Sequence, residues 1–162
     1  MRTLLLILCT LSATAQTAEI NEQVWKPFCE GLSTLDTTRY LSVHSRHLIR
    51  AEIGNKKIYG YDQYSNNTRH GFEQALKSKH TSPEVQFSVE LRFLDRISSN
   101  DRAYEVGYFK STLSFPDGRT HVYYSPFYVA LIREGGRWKI RTDSSLPLPQ
   151  LTEEEFKKAQ PL

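Results

Sequence analysis

Apolar residues recur every fourth position through the first part of the chain, which is the spacing of one face of a helix. The stripe that begins at Ile20 and ends at Leu32 predicts a helix over residues 19–36. Pro27 lies inside this stretch. Because a proline removes a backbone hydrogen bond, the helix should either kink there or begin again with Pro27 in its first turn.

A short second helix is predicted after Asp36, which stands where an N-cap is expected. This helix would turn Tyr40, Leu41 and His44 toward the core. The segments "HLIRAEI" and "KIYGY" follow, and they form either a small hairpin or an extended crossing of the molecule.

A third helical pattern covers residues 61–79, where apolar side chains again fall near one face. Tyr64 belongs to that face, and Thr68 and Arg69 are its polar inward candidates. The pattern ends before Pro83, after which the chain changes character.

Beyond Pro83 apolar and polar residues alternate, which is the period of a strand with one apolar face. Four such stretches are joined by short turn sequences, so they predict an antiparallel meander. The four predicted strands cover residues 84–97, 103–115, 120–133 and 137–143. Helices followed by strands indicate an α+β fold with about three N-terminal helices over a sheet of four to six mostly antiparallel strands. Thr152 and Glu155 form a capping-box pair that predicts a final short helix.

Residues 1–15 have the pattern of a secretory signal peptide. A basic Arg2 precedes an apolar core from Leu4 to Leu11, and small residues follow at Ala13 and Ala15. The apolar run is shorter than the ~20 residues that a membrane span needs. We therefore expect a single mature domain, residues 16–162, that is periplasmic or secreted.

The charge balance argues against nucleic-acid binding. The chain has 21 Lys and Arg against 18 Asp and Glu, and loss of Arg2 leaves 21 − 1 = 20 basic residues and a net charge of +2. The basic residues are scattered, whereas nucleic-acid-binding proteins concentrate them on one surface. We expect neither a nucleic-acid partner nor a membrane span.

Cysteine and histidine offer little chemistry. Cys9 leaves with the signal peptide, so Cys29 cannot form an internal disulfide and is interpreted as a small buried apolar residue rather than a nucleophile or an intermolecular pair. The five histidines show no spacing typical of metal ligands. We expect no metal and no cofactor.

The end of the last hairpin, "GGRWKIRTDSS", together with the order of helices and strands from Ile20 to Ser145, resembles the SnoaL-like branch of the nuclear transport factor 2-like superfamily. The resemblance implies a strongly bent sheet that wraps around the helices as a cone and leaves a pocket open at one end. Gly107 and Pro126 are the places where this sequence could break its strands to bend the sheet.

Five residues are the candidates for lining that pocket: Tyr64, Arg69, Arg92, Tyr128 and Asp143. If Trp138 and Ile140 point to one face of the last strand, Asp143 points to the other, which faces the pocket in the resembled fold. Tyr128 occupies the strand position where ketosteroid isomerases carry the acid of their oxyanion hole. Arg92 either holds an anionic group in the pocket or forms an exposed pair with Glu90.

Two functions remain open on these residues. One is the binding of a small, partly apolar molecule, which requires no chemistry. The other is a cofactor-independent isomerase, dehydratase or hydrolase with Asp143 or His44 as general base and Tyr128 as hydrogen-bond donor. Neither the aspartate base of ketosteroid isomerases nor the His-Asp pair of scytalone dehydratase has a motif match in this sequence.

The tyrosine-rich strands predict a homodimer. Tyr123 and Tyr124 are adjacent on a strand, so one of them must face away from the helices. An apolar outer sheet face invites a partner, and closed dimers are the commonest oligomers.

Overall fold

The computed structural model describes residues 14–82, 84–148 and 150–162. The predicted signal peptide lies outside these ranges except for its last two residues. The helical elements are α1 (14–20), a π-helical turn (Asn21–Trp25), α2 (Lys26–Thr34), α3 (Thr37–Ser42), α4 (Tyr61–Thr81) and α5 (Glu153–Lys158). The strands are β1 (His44–Glu52), β2 (Lys57–Gly60), β3 (Gln86–Ser98), β4 (Arg102–Ser114), β5 (Thr120–Glu134), β6 (Arg137–Ser145) and β7 (Gln160–Pro161). A 3-10 turn, Ile53–Asn55, joins β1 to β2.

The first helix is interrupted at Pro27, as the sequence predicts. The π-helical turn lies directly before α2, and the N–H of Lys26 bonds to the carbonyl of Asn21, five residues back. Such a turn carries an extra residue and usually has a local cause, which here is the proline. As a result the neighbouring residues Val24 and Trp25 are both buried.

The short second helix and its cap are confirmed. The Asp36 side chain accepts a hydrogen bond from the Arg39 N–H at 2.9 Å. Helices α2 and α3 approach so closely that a Cβ on Gly31 would lie 2.6 Å from the Tyr40 nitrogen. This contact turns the Tyr40 side chain into the core.

The seven strands form one sheet in the order β2-β1-β6-β5-β4-β3-β7. The α+β prediction is confirmed, and β3 to β6 form the expected antiparallel meander. The "HLIRAEI" and "KIYGY" segments pair as a hairpin, and β1 joins the meander by parallel pairing with β6. The count exceeds the expected four to six because the two-residue strand β7 adds to the edge of β3.

Breaks in the strand register accompany the curvature of the sheet, one between β1 and β6 and two in the meander. The β3–β4 register shifts between Phe93 and Asp95, opposite Gly107, where a Cβ would lie 2.1 Å from the Arg92 carbonyl oxygen. Gly107 therefore stands at a break, as expected. The register runs without a shift through Pro126, and the second break lies instead between Ala130 and Leu131.

The core lies between α1 to α3 and the concave face of the sheet. Trp138 is fully buried. Trp25 packs edge-on against Phe28 and Phe93, and its indole N–H donates to the Glu105 carboxylate. Within the described ranges no helix is long and apolar enough to cross a membrane.

The C-terminal segment packs on the outer, convex face of the sheet. The predicted capping box of Thr152 and Glu155 is present at the start of α5. Phe156 is fully buried against Tyr124, whose hydroxyl donates to Glu153 at 2.5 Å. Part of the outer sheet face is therefore covered by the chain itself.

Candidate ligand-binding cavity

A cavity of about 200 Å³ lies between the helices and the concave face of the sheet. Its walls are mostly aromatic and aliphatic, and its polar groups come from neighbouring positions on β1, β5 and β6. The aromatic lining consists of Trp25, Phe28, Tyr40, Phe109, Tyr123 and Phe127, and the polar lining consists of Arg50, Ser125, Asp143 and Ser145. Apolar walls with a few converging polar groups are typical of small-molecule sites.

The polar end of the cavity is built around Arg50. Its Nη1 donates to Asp143 Oδ1 at 2.7 Å and its Nη2 donates to Ser145 Oγ at 2.7 Å. The parallel pairing of β1 with β6 sets Arg50 directly opposite Asp143. The Arg50 and Asp143 side chains are only 16% and 11% exposed.

A bulge in β6 decides which side chains reach the cavity. The partners of Ala130 and Leu131 are Thr142 and Ile140, so Arg141 is the extra residue. Ile140 and Asp143 consequently line the same cavity. The prediction that Asp143 faces the pocket therefore agrees with the structure, whereas the prediction that Ile140 points the opposite way is wrong, because simple alternation does not survive the bulge.

Burial raises the pKa of the Asp143 carboxyl above its ordinary value, and the Arg50 guanidinium opposes this rise. Arg50 carries its charge at every accessible pH. Asp143 Oδ1 accepts the bond from Arg50, and Oδ2 has no hydrogen-bond partner among the described residues. The pair thus presents a buried acceptor and guanidinium donors side by side, with little net charge when both groups are ionised.

Tyr40 and Tyr64 form a hydroxyl pair on the helical side of the cavity. The two oxygens are 2.7 Å apart. Burial raises the pKa of Tyr40 to about 12, and the pKa of Tyr64 is also raised, mainly by burial. Tyr40 lines the cavity, whereas Tyr64 stands behind it and does not belong to the lining, contrary to the prediction. Tyr64 contributes by orienting the Tyr40 hydroxyl.

His44 is buried among aromatic rings and is a poor base. Its Nδ1 lies 3.0 Å from the Tyr40 carbonyl oxygen and is the donor in that bond, while its buried Nε2 has no partner among the described residues. Burial lowers the pKa of His44 to about 3. A group with this pKa is too weak to remove a substrate proton at neutral pH, so the role of His44 as general base is not supported.

Three predicted pocket residues lie elsewhere. Arg69 is exposed on α4, and Tyr128 is 37% exposed on the outer face, because its neighbours Phe127 and Val129 take the inward positions of β5. Arg92 binds Glu90 at 2.9 Å and donates to the Lys157 and Ala159 carbonyl oxygens at 3.1 and 3.2 Å. Arg92 therefore holds the C-terminal segment against the outer face.

Arg50 was not predicted as a site residue from the sequence. Arg50 lies in a segment whose pairing was left open, and nothing in its local pattern indicates a parallel partner on β6. Ser125 was also missed, although it follows Tyr123 at the two-residue spacing that keeps side chains on one strand face.

Cys29 and the possible metal ligands are the remaining groups that the sequence singled out. Cys29 is partly buried in the core, and burial raises the pKa of its thiol to about 12. This agrees with the interpretation of Cys29 as an apolar packing residue. Across the described ranges, no group of three or more His, Cys, Asp or Glu side chains is arranged to hold a metal ion.

Solved structures share this architecture. A nuclear transport factor 2-like protein of unknown function from Shewanella oneidensis is similar with a TM-score of 0.55 and 21% identity over 81% of this chain and 98% of that one. An uncharacterised protein with a cystatin-like fold from Caulobacter vibrioides has a TM-score of 0.62 and 14% identity over 83% and 90% of the two chains. This chain has their fold. Aln2 from a Streptomyces species is also similar, with a TM-score of 0.65 and 10% identity over 82% of this chain and 91% of that one. No family model and no curated protein matches the sequence.

Proposed function

We propose that this domain binds one small, partly apolar molecule in the cavity between its helices and sheet. The observation that carries the proposal is the buried Arg50–Asp143–Ser145 cluster at one end of an otherwise aromatic chamber. A domain that needed these residues only for packing would be as well served by apolar side chains, since burying an ion pair seldom adds net stability. The cluster is therefore interpreted as the group that orients a ligand.

The size and polarity of the chamber limit the ligand. An engineered cavity of ~150 Å³ holds benzene, so a cavity of about 200 Å³ accommodates a single ring or a chain of similar bulk. Arg50 and Asp143 neutralise each other, and Ser145 can both donate and accept. A neutral hydroxyl or carbonyl group suits this end better than an ion.

Benzyl alcohol is a suitable first probe because it combines a ring with one hydroxyl group. We expect a saturation-transfer NMR signal from the alcohol in the presence of the protein. Ser125→Phe fills the cavity from a residue that is 4% exposed and should abolish the signal. Val122→Phe, on the opposite face of the same strand and 45% exposed, is the matched control and should leave the signal unchanged. Equal signals from all three proteins would exclude the cavity as the site.

Catalysis is the second candidate, and Asp143 favours it. This carboxyl group lines the cavity, and burial raises its pKa toward the range useful for proton abstraction. Tyr40 replaces Tyr128 as the hydroxyl that could polarise a carbonyl group, because Tyr128 lies outside the cavity. An isomerase or dehydratase of this kind should exchange the α-hydrogens of a small cyclic ketone with D₂O, and Asp143→Asn should stop the exchange. Binding without exchange would leave the protein a carrier.

We also propose that the protein is exported and that it forms a homodimer through the outer sheet face. The composition of residues 1–15 supports export. The helical residues that follow the proposed cleavage site are held to the sheet. Gln16 accepts a hydrogen bond from Ser98 Oγ at 2.8 Å, and Glu19 binds Arg133 at 2.7 Å. Intact-mass measurement on protein from its own host should give a chain that begins near Gln16. Soluble protein that retains Met1 would contradict export.

A further inference from the structure

A larger groove lies beside the cavity and is not used by the function proposed above. It has a volume of about 800 Å³ and runs between the C-terminal half of α4, the end of α2, the start of β3 and the end of β4. Leu35, Phe72, Phe87, Leu113 and Phe115 supply most of its apolar wall. Phe87 is 38% exposed, so this wall lies open to water.

The groove continues the cavity along one sheet face. Leu91 on β3 pairs with Phe109 on β4 in the cavity wall. Four residues away on each strand, Phe87 pairs with Leu113 in the groove. Side chains at a spacing of four share one strand face. Leu32 at the end of α2 borders both spaces.

We propose that the cavity and the groove hold one elongated molecule, a neutral single-chain amphiphile such as a medium-chain or long-chain alcohol or ketone. Its polar group lies against Arg50, Asp143 and Ser145, and its apolar chain passes Leu32 into the groove. This inference rests on the proposed ligand-binding function and adds the class of ligand to it.

The charges select a neutral head group. A carboxylate at the inner end would lie next to Asp143, and an ammonium group would lie next to Arg50. Both are buried and already paired at 2.7 Å. A hydroxyl or carbonyl group can bond to either partner without separating them, because burying an unpaired charge is costly.

Lys79 allows a competing orientation of the ligand, which the experiment must distinguish from the proposed one. It borders the groove and forms no ion pair within the described ranges. A fatty acid could place its carboxylate at Lys79 and direct its tail inward. Alcohols and acids of the same chain length therefore distinguish the two orientations, and Lys79→Met tests the second directly.

The test measures dissociation constants of 1-hexanol, 1-octanol, 1-decanol and decanoate by titration calorimetry. A fully buried methylene strengthens binding about fourfold and a half-covered one about twofold. The step from hexanol to decanol should therefore strengthen binding by roughly 15-fold to 200-fold. We expect decanoate to bind at least about tenfold more weakly than decanol, and Lys79→Met to change decanol binding less than twofold.

Two variants locate the chain in the groove. Phe87→Asp should remove most of the gain from hexanol to decanol and leave hexanol binding unchanged. Ile97→Asp, on the outer face of the same strand and 61% exposed, should change neither. Hexanol binding without a gain for decanol, or a gain that survives Phe87→Asp, would overturn the elongated ligand and leave the proposed function intact. If the unmodified protein binds none of these compounds, hexanol included, the proposed function itself is overturned. Decanoate binding that equals decanol binding and depends on Lys79 would overturn the neutral head group.

Discussion

Replacing Arg50 with methionine is the sharpest perturbation of the candidate site. Methionine keeps most of the side-chain length but removes the guanidinium group, so Asp143 loses its bond at 2.7 Å and Ser145 loses its donor. The carboxyl group would then be buried next to apolar side chains without a counter-charge. We expect the folded state to lose stability at neutral pH.

The magnitude follows from the burial of the pair. Removing one partner of a buried ion pair costs about 3–5 kcal/mol. The Arg50 and Asp143 side chains are only 16% and 11% exposed, so the pair is close to fully buried. Asp143 can take up a proton in the variant, so we expect a loss of about 2–4 kcal/mol at pH 7.

The loss of stability in Arg50→Met should depend on pH in a definite direction. Loss of Arg50 removes the group that opposes the raised pKa of Asp143, so the pKa of this carboxyl rises further. A carboxyl group whose pKa is higher in the folded state favours folding below its unfolded pKa, and this contribution is lost as pH rises through the folded value. The destabilisation of Arg50→Met should therefore shrink as pH falls from 7 toward 4.

Urea unfolding followed by tryptophan fluorescence measures these changes. The control is Arg119→Met, which removes an Arg–Asp pair of the same 2.7 Å length whose side chains are 69% and 52% exposed, and it should cost less than about 1 kcal/mol. Adding Asp143→Asn to Arg50→Met should restore much of the stability, because it removes the uncompensated carboxylate. If Arg50→Met is no worse than the control at pH 7, or the second substitution does not help, the cluster is not the buried ion pair described above.

Three further predictions concern the core, acid stability and assembly. Trp138→Ala should cost about 3–5 kcal/mol in urea unfolding because the indole is fully buried, and an unchanged midpoint would place it at the surface. The pKa of His44 falls to about 3 in the folded protein from 6.5, so the unfolded chain binds its proton more readily and stability should fall by about 2 kcal/mol between pH 7 and pH 5. His44→Asn should flatten that slope, and a slope that persists would assign it to other groups. Tyr104 and Tyr128 are 46% and 37% exposed on the outer sheet face, so a homodimer seen by light scattering should dissociate when Tyr104 is changed to Glu, whereas a monomer mass in the unmodified protein at high concentration would refute the dimer.

Local patterns predicted the elements well because each has a local cause. The Asp36 cap, the Thr152–Glu155 capping box and the break at Pro27 depend on residues within a few positions of one another. The meander also follows from alternation and short turns. The parallel pairing of β1 with β6 could not be predicted, because it joins residues far apart in the chain and has no signal in either segment.

The candidate site was predicted only in part for the same reason. Asp143 was placed correctly, since the resembled fold ends its last strand at the pocket. Arg50 reaches Asp143 only through the long-range β1–β6 pairing. Tyr128 was assigned to the wrong face because alternation defines two faces without saying which one the helices cover. For Arg92 two alternatives were left open, and the structure shows the pair with Glu90 rather than the pocket position.

A crystal structure of the protein soaked with benzyl alcohol would show whether the cavity binds a small, partly apolar molecule. We expect density for the ring among the aromatic side chains of the cavity, with the hydroxyl oxygen about 3 Å from Asp143 Oδ2 or Ser145 Oγ. Density for the ring with its hydroxyl turned away from this cluster, or a cavity that holds only water while the alcohol lies on the surface, would contradict it.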